Sequence, residues 1–441
     1  VVEIRRQTDQ MQTIDAQSMR LTPDASGGSV EAVLSTMAGV SSKNEMSSQY
    51  MVRGGSYDEN SVYINGIEIY RPQLISSGQQ EGLSIINPDM VGSVSFSTGG
   101  FSAAYGDKMS SALDITYREP EAFEGAVSVS LQGGSLSIGQ SSKKFSQLHG
   151  FRYKRNSSLL GSLETKGEYD PQYFDYQTNI TYKMGSKWKA SFLGNISINN
   201  YRFTPQNRNT SFGTSTNAKQ FTVYFDGHEK DKFETYFGAL TLNYKHSKNT
   251  DISILASGYL TNEIVGYDIH GEYWLDEAGT SGEGGIGGEL GVGKYHEHAR
   301  NRLKMSVFSL GLRGNTVLGK NKIAYGVSFN HENVYERASE WEQRDSAGYS
   351  LPHYGNGVHM VYNLTSKQDF GSNRVSAFVQ DTYRLATELG YFTINGGVRL
   401  SYWDFNNEFL VSPRASVGFV PKGNERFALR FATGLYYQSP F

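Results

Sequence analysis

Gln49-Tyr50-Met51-Val52-Arg53-Gly54-Gly55-Ser56-Tyr57-Asp58-Glu59-Asn60-Ser61-Val62-Tyr63-Ile64-Asn65-Gly66-Ile67-Glu68-Ile69-Tyr70-Arg71-Pro72 is the most specific stretch of this chain. The β-rich runs Val62-Tyr63-Ile64 and Ile67-Glu68-Ile69 bracket Asn65-Gly66, a pair that tolerates the positive φ angles of a type I′ turn. A tight hairpin is therefore expected. Upstream, Val30, Val33, Leu34 and Met37 recur at helical spacing. They predict a short helix over Ser29 to Met37, with Ser26 or Ser29 capping its first amides and Gly39 ending it in the left-handed conformation. On these features alone the first section is a small α/β globule.

Beyond Pro120 the period changes to two. Val127 and Val129 alternate with Ser128 and Ser130, Ile196 and Ile198 with Ser197 and Asn199, and Leu240, Leu242 and Tyr244 with Thr241 and Asn243. Tyr325, Val327 and Phe329 oppose Gly326, Ser328 and Asn330, and near the end Phe392, Ile394, Val398 and Leu400 oppose Thr393, Asn395 and Arg399. The same alternation puts Arg430 among polar neighbours of Phe427, Leu429 and Phe431. An arginine facing the middle of a bilayer costs about 2–4 kcal/mol, whereas one facing a wet lumen costs little, so this placement fits a transmembrane barrel. A soluble sandwich also alternates; the number and length of the strands favour the barrel.

Composition agrees. Hydrophobic residues make up 38% of the chain and mean hydropathy is -0.48, and no run approaches the ~18 apolar residues that a spanning helix needs. Barrel strands show lipid only every second side chain, so low hydropathy does not exclude them. Forty-nine glycines and 13% aromatics suit many tight turns and the aromatic girdles of a barrel. With no cysteine there is neither a disulfide framework nor a thiolate metal site. A net charge of -3 gives no case for nucleic acid. The chain opens on Val1-Val2-Glu3-Ile4-Arg5-Arg6 and not on a secretory signal, so an export signal is expected to have been removed or to lie upstream.

Asn200 to Gln220, Glu272 to Asn301 and Glu332 to His353 read as long polar loops on the cell exterior, forming a ligand vestibule. Chemistry is weakly signalled. His296 and His298 lie two apart, a spacing more often solvated than metal-bound. Asp170, Asp175, Asp226 and Asp231 lack EF-hand spacing. Gly282 to Gly288 lacks the context of a phosphate loop, and no hydrolytic triad or carboxylate pair stands out. No enzyme, cofactor or metal site is expected.

Ala38-Gly39-Val40, Val52-Arg53-Gly54, Ile64-Asn65-Gly66-Ile67 and Phe101-Ser102-Ala103-Ala104-Tyr105-Gly106 followed by Leu113-Asp114-Ile115 occur in the order seen in plug domains, and the chain resembles a TonB-dependent outer-membrane receptor. Further likenesses at Phe378-Val379-Gln380-Asp381, Gly397-Val398-Arg399 and Ser412-Pro413-Arg414 extend the resemblance along the whole chain. It implies a plug over residues 1–121 with Arg53, Gly54, Asn65, Gly66, Tyr105 and Gly106 as its motif, and barrel strands over 122–441. In the family an arginine at the place of Arg53 pairs with barrel glutamates, which suits a lock on the plug; the alternative for Arg53 is a structural arginine satisfied within the plug.

The resemblance also implies energy-coupled uptake. A nutrient such as an iron chelate, cobalamin, sugar or peptide binds the outer loops, and the inner-membrane protein TonB then pulls the plug aside. Implied partners are TonB, the outer-membrane bilayer, the ligand and, in some members, a surface lipoprotein. The rival is a barrel acting as an adhesin or assembly scaffold without transport. A plug of ~120 residues has a radius of gyration near 14 Å and needs a barrel of about 22 strands. The 320 residues from 122 to 441 supply about 11 to 14 strands. An incomplete barrel, the N-terminal portion of a longer receptor, is the expectation.

Overall fold

The structure is a computed structural model that describes residues 11–14, 29–42, 48–72, 84–130, 132–155, 167–214, 217–277, 289–345, 359–423 and 427–438. Its first part is a mixed sheet of β1 (Gln12–Ile14), β4 (Asn60–Ile64), β5 (Ile67–Glu68), β6 (Val91–Ser97) and β7 (Ser111–Tyr117), in the order β1-β6-β7-β4-β5. Only β4 and β7 run parallel. A two-stranded ribbon, β2 (Val40–Ser41) with β3 (Met51–Val52), stands beside it.

The expected helix forms as α1 (Val30–Ser35), with Ser29 Oγ accepting from Ala32 N at 3.1 Å; it ends earlier than expected, on Thr36 in the right-handed region, and Gly39 at φ 82° lies in the turn beyond it. Ser26, the other candidate cap, lies outside the described residues. Val30, Val33 and Leu34 of α1 are buried, and they share one apolar core with Tyr50 and with Val62, Ile64, Phe96, Leu113 and Ile115 from the sheet. The expected hairpin is equally plain. Asn65 and Gly66 have φ of 52° and 75°, the two positive angles of a type I′ turn, joining β4 to β5.

From Glu124 on, the described residues build one antiparallel sheet of fifteen strands. The continuous path runs through β8 (Glu124–Ser130), β9 (Gly133–Ser141), β10 (Phe145–Arg155), β12 (Gln172–Met184), β13 (Trp188–Pro205), β15 (Asn217–Lys245), β16 (Thr250–Glu277), β17 (Glu289–Leu318), β18 (Asn321–Asp345), β19 (His359–Ala386), β20 (Gly390–Trp403), β21 (Glu408–Pro421) and β22 (Leu429–Gly434). These thirteen fall within the expected count; two short strands, β11 (Gly167–Tyr169) on β13 and β14 (Arg208–Thr214) on β15, flank the path. Among the described residues β8 and β22 do not pair with each other, so the sheet is a partial barrel.

Alternation sorts the faces. Phe308, Leu310 and Leu312 of β17 and Val327 and Phe329 of β18 are exposed outside, whereas Gln177, Asn179, Asn195, Asn395 and Arg399 are buried inside against the globule. The plug-like domain thus sits on the concave, polar side, and its apolar core extends onto Leu148, Leu193, Tyr259 and Val307 of the wall.

Connections at one end of the sheet are short, at 142–144, 185–187, 246–249, 319–320 and 387–389, with Gly185 and Gly319 supplying positive φ. At the other end β15 to β19 reach 25 to 30 residues, far beyond the ~9–11 a tilted strand needs to cross a bilayer. This corrects the sequence reading of those stretches as loops. Most of Asn200 to Gln220, Glu272 to Asn301 and Glu332 to His353 is strand, as far as it is described. The physical reason is that a ladder in water needs no apolar face. Both sides are wet there, so main-chain pairing persists while the hydrophobic alternation that announces a strand disappears. Gly282 to Gly288 lies outside the described residues.

Gly66→Val would force a β-branched residue into a positive-φ position facing the Arg313 guanidinium. We expect this to lower the local opening free energy of the hairpin by about 1–2 kcal/mol, read as faster hydrogen exchange at the Val62 to Ile69 amides with α1 amides unchanged.

The plug seat, a candidate functional site

The turn at Asn65-Gly66 is where the domain first meets the wall. Asn65 N donates to Ile115 O at 2.7 Å and its Oδ1 accepts from Tyr117 N at 2.9 Å, which pins the hairpin to β7. Its amide then donates outward to Asn179 Oδ1 of β12 at 3.2 Å, while Gly66 O accepts from Arg313 Nη1 of β17. Arg313 lies near the short-turn end of β17. Further along, Tyr70 Oη is 3.5 Å from Ser309 Oγ, and the Arg71 guanidinium meets Glu263 of β16 at 2.8 and 2.9 Å. The segment after the hairpin therefore climbs the wall from the short-turn end towards the long-strand end.

Tyr105 and Gly106 form a second contact. Tyr105 Oη donates to Asp114 at 2.7 Å and its ring lies edge-on to Tyr63 at 5.1 Å, and Gly106 N donates to Tyr63 Oη at 3.4 Å. Arg399 of β20 packs directly on Gly106; a Cβ there would stand 2.1 Å from Arg399 Nε. Any larger residue there would have to displace the guanidinium from its place. The guanidinium then reaches Asp107 Oδ2 at 3.2 Å, an ion pair in which both side chains are largely buried. Burial opposes the charge on Asp107, yet the Arg399 and Arg374 guanidiniums hold its carboxyl below the usual carboxylate range.

Other barrel arginines take main-chain carbonyls of the domain. Arg414 Nη1 donates to Ser102 O at 2.6 Å and to Tyr105 O at 2.5 Å, with its plane near the rings of Phe101 and Tyr436. Arg430 donates to Gly100 O at 2.8 Å. Arg152, paired with Asp175 at 3.1 Å, donates to Ile86 O and Ser84 O at 2.9 and 2.8 Å.

Between hairpin and wall lies a cavity of about 60 Å³ bounded by Tyr63, Glu68, Tyr70, Arg313 and Arg399. Glu68 faces it. Burial, and then the neighbouring Asp107 charge, push its carboxyl up to about 7.

Four of the six motif residues, Asn65, Gly66, Tyr105 and Gly106, thus come together at the wall. Arg53 and Gly54 sit apart, both at positive φ (51° and 81°). Arg53 is exposed, lies against Gly39 and Gly99, and has no carboxylate within ion-pair distance among the described residues. Among the described residues the plug arginines that do meet barrel glutamates are Arg71, with Glu263, and Arg118, with Glu124 of β8, neither of which the motif singled out. Arg399 and Arg430 were already marked as lumen-facing by alternation; Asp107 carried the missing signal as the residue following Tyr105-Gly106. His296 and His298 flank Asp268 at 2.6 and 3.3 Å on the outer face of the long strands, and no group of three metal-ligating side chains occurs among the described residues.

A globular domain held by polar contacts inside a transmembrane-type antiparallel sheet defines the class of plugged β-barrels. Residues 3–112 match the family model of the TonB-dependent receptor plug domain. Among solved structures, the unliganded ferric citrate transporter FecA resembles the chain with 11% identity and a TM-score of 0.55, covering 95% of this chain and 61% of FecA. BauA, the ferric preacinetobactin receptor of Acinetobacter baumannii, gives 10%, 0.55, 96% and 63% respectively, and the RagAB peptide importer in its closed-closed state gives 9%, 0.53, 93% and 57%. At such identities the likeness is one of fold, and the chain spans about three fifths of the length of these structures. No curated protein sequence matches it. The chain carries a TonB-dependent receptor plug domain and, behind it, barrel strands of the TonB-dependent receptor fold.

Two outcomes follow for the seat. Asp107→Asn leaves Arg399 buried without its counter-charge, a change of about 3–5 kcal/mol for a buried pair; we expect increased small-solute leakage in liposome swelling, partly reversed when Arg399→Gln is added. Because the Glu68 carboxyl titrates above the free value of 4.5, its neutral form contributes stability that is complete below that value and lost as pH rises through about 7. Protection of β4 and β5 amides, corrected for intrinsic exchange, should fall from about pH 5 to pH 8, and Glu68→Gln should flatten that dependence.

Proposed function

We propose that this chain serves as an outer-membrane receptor that captures a scarce small nutrient at its outer face and admits it when TonB moves the plug. The observation that carries the reading is the seat itself. The plug meets the wall through guanidinium–carbonyl and guanidinium–carboxylate contacts around a polar cavity, and such contacts can be exchanged for water when the plug shifts. The apolar contacts that the plug also makes with Leu148, Leu193, Tyr259 and Val307 resist the same movement, so the polar part of the seat is the part that yields most readily. In this reading the short-turn end faces the periplasm and the long strands stand outside the cell, as in outer-membrane barrels generally. The ligand enters between those strands and reaches the side of the plug where Arg71 meets Glu263.

The neighbours handle, by name, ferric citrate, ferric preacinetobactin and peptides. The substrate class proposed here is accordingly a small nutrient: an iron chelate, cobalamin, a sugar or a peptide. Partners are TonB, the bilayer and, where the cell supplies one, a surface lipoprotein.

The test is growth and radiolabelled uptake on scarce nutrients in strains with and without TonB. Uptake through this receptor should vanish without TonB; loss of attachment or of complex assembly alone would favour an adhesin or scaffold. Glu263→Arg should raise basal leakage by leaving two guanidiniums opposed, and Arg71→Glu in the same chain should restore the seal.

A further inference from the structure

Beyond the Arg71–Glu263 contact the inner face of the long strands turns acidic. Cross-strand register fixes which side chains stand there. Glu263, which holds plug Arg71, lies opposite Phe233 of β15 and Leu303 of β17, and Leu303 lies opposite Glu336 of β18. Counting by twos from these positions puts Glu229 and Asp231 of β15, Tyr267 of β16, Glu297 of β17 and Glu340 of β18 on the same inner face. Glu229, Tyr267, Ala299 and Glu340 form one row of direct partners, and Glu297 stands in the next row, diagonal to both Tyr267 and Glu340.

Like charges gathered on one face destabilise a sheet. Among the described residues no cation lies within ion-pair distance of Glu229, Glu297 or Glu340, and Arg344 on the same face is paired with Glu342. Glu340 accepts from the neutral Asn301 amide and from Tyr362 Oη at 3.2 Å. The charges converge on Tyr267, whose phenol is pushed up to about 12 by burial and then by Glu340, Glu297 and Glu229. Burial, and then Asp231 and Glu297, push the Glu229 carboxyl up to about 8, so the cluster holds a proton at neutral pH. A second observation concerns the strand beside it. Asn199 of β13 lies opposite Phe233 and therefore diagonal to Asp231, which is 3% exposed and accepts from Gly266 N at 3.4 Å. Asn199 is 6% exposed, and its Oδ1 accepts from no donor among the described residues. An unfilled buried acceptor thus borders a buried carboxylate, and the group that completes it is a donor of positive charge.

We propose that this face binds a small polycation, a basic peptide of about four residues, as the nutrient of the receptor. Charge selects the sign and distance selects the size. From the level of Asp231 to that of Glu297 is about 13 Å along the strands, and from β15 to β18 is three strand spacings, about 14 Å. One ammonium cannot reach both ends, so the ligand carries at least two cations; an extended tetrapeptide spans about 13 Å. One guanidinium forks onto Glu229 and Asp231 and a second onto Glu297 and Glu340, with the Tyr267 ring between them as a stacking face. The first of these takes the place of the proton on Glu229. The inference rests on the receptor reading above and narrows it to one substrate class.

The test uses the full receptor purified in neutral detergent and a fluorescent N-acetylated tetra-arginine amide, with affinity read by anisotropy. Unlabelled tetra-arginine, tetra-glutamine and tetra-glutamate amides, spermidine and calcium chloride are the competitors. Tetra-arginine should displace the probe, the glutamine and glutamate peptides should not, and spermidine and calcium should compete far less well. Glu229→Gln/Glu297→Gln/Glu340→Gln should weaken binding about 100-fold, on the order of fivefold per removed carboxylate. Tyr267→Leu should weaken it several-fold, whereas Lys232→Gln, on the outer face of β15, should leave it unchanged. Removing like charges does not threaten the fold, and an unchanged Tm for the triple variant marks its loss as one of recognition. Equal binding by the triple variant overturns the proposal, as does displacement by tetra-glutamate. Calcium competing as well as tetra-arginine makes this a metal site and spermidine doing so makes it a polyamine site; either overturns the peptide. Uptake separates the two readings. A receptor that imports a neutral or anionic nutrient through TonB while ignoring tetra-arginine defeats this inference alone, whereas one that binds tetra-arginine yet imports nothing with TonB present defeats the function proposed above.

Discussion

The seat depends on one constraint: the plug's connecting loops leave carbonyls that its own sheet does not satisfy, and the barrel supplies the donors. Gly66, Ser84, Ile86, Gly100, Ser102 and Tyr105 each turn a carbonyl towards a guanidinium on the wall. Buried carbonyls without partners are costly, and a donor that is always charged meets that need at any physiological pH. The fork of the guanidinium matters as much as its charge. Arg152 uses both terminal nitrogens, on Ile86 and Ser84, while Arg414 brings a single one to Ser102 and Tyr105, so in each case one side chain fixes two points of a loop.

This arrangement explains why the wall's inner face is polar at depths where its outer face is apolar. Asp175 illustrates the cost of such a lumen. It pairs with Arg152 and also accepts from Gln177 at 3.0 Å and Asn195 at 2.9 Å, so the charge is surrounded by donors as well as by its counter-ion. Buried ion pairs stabilise only when the remaining lone pairs are satisfied. The amides of Gln177 and Asn195 serve that purpose and also tie β12 to β13, while Gln177 reaches back to plug Ile85 O at 2.6 Å.

Much of this could be read from the residues. The Asn65-Gly66 turn, the Ser29 cap of α1, and the alternation that places Arg399 and Arg430 inward are local rules, and the structure follows them. What escaped was of two kinds. Pairings between residues roughly 200 to 300 positions apart, such as Arg71 with Glu263 and Asp107 with Arg399, depend on how the plug is turned inside the sheet, and no local pattern encodes that turn. Arg53 shows the reverse case. Its motif was legible, but its position at φ 51° beside Gly39 and Gly99 directs the side chain along the plug and not to a barrel glutamate. The outer strands were missed because their neighbours are water on both sides, which removes the periodicity that made the lower strands readable.

Those outer strands have a mechanical meaning. β16 and β17 are joined rung by rung from Thr250 to Leu275, with β15 and β18 laddered to them on either side. A surface built this way lost its conformational freedom when the chain folded, whereas a free loop loses it when a ligand arrives. Under the function proposed above, selectivity at such a rim would come from fixed side-chain positions more than from closure of the wall, and the movement that admits a solute would fall to the plug.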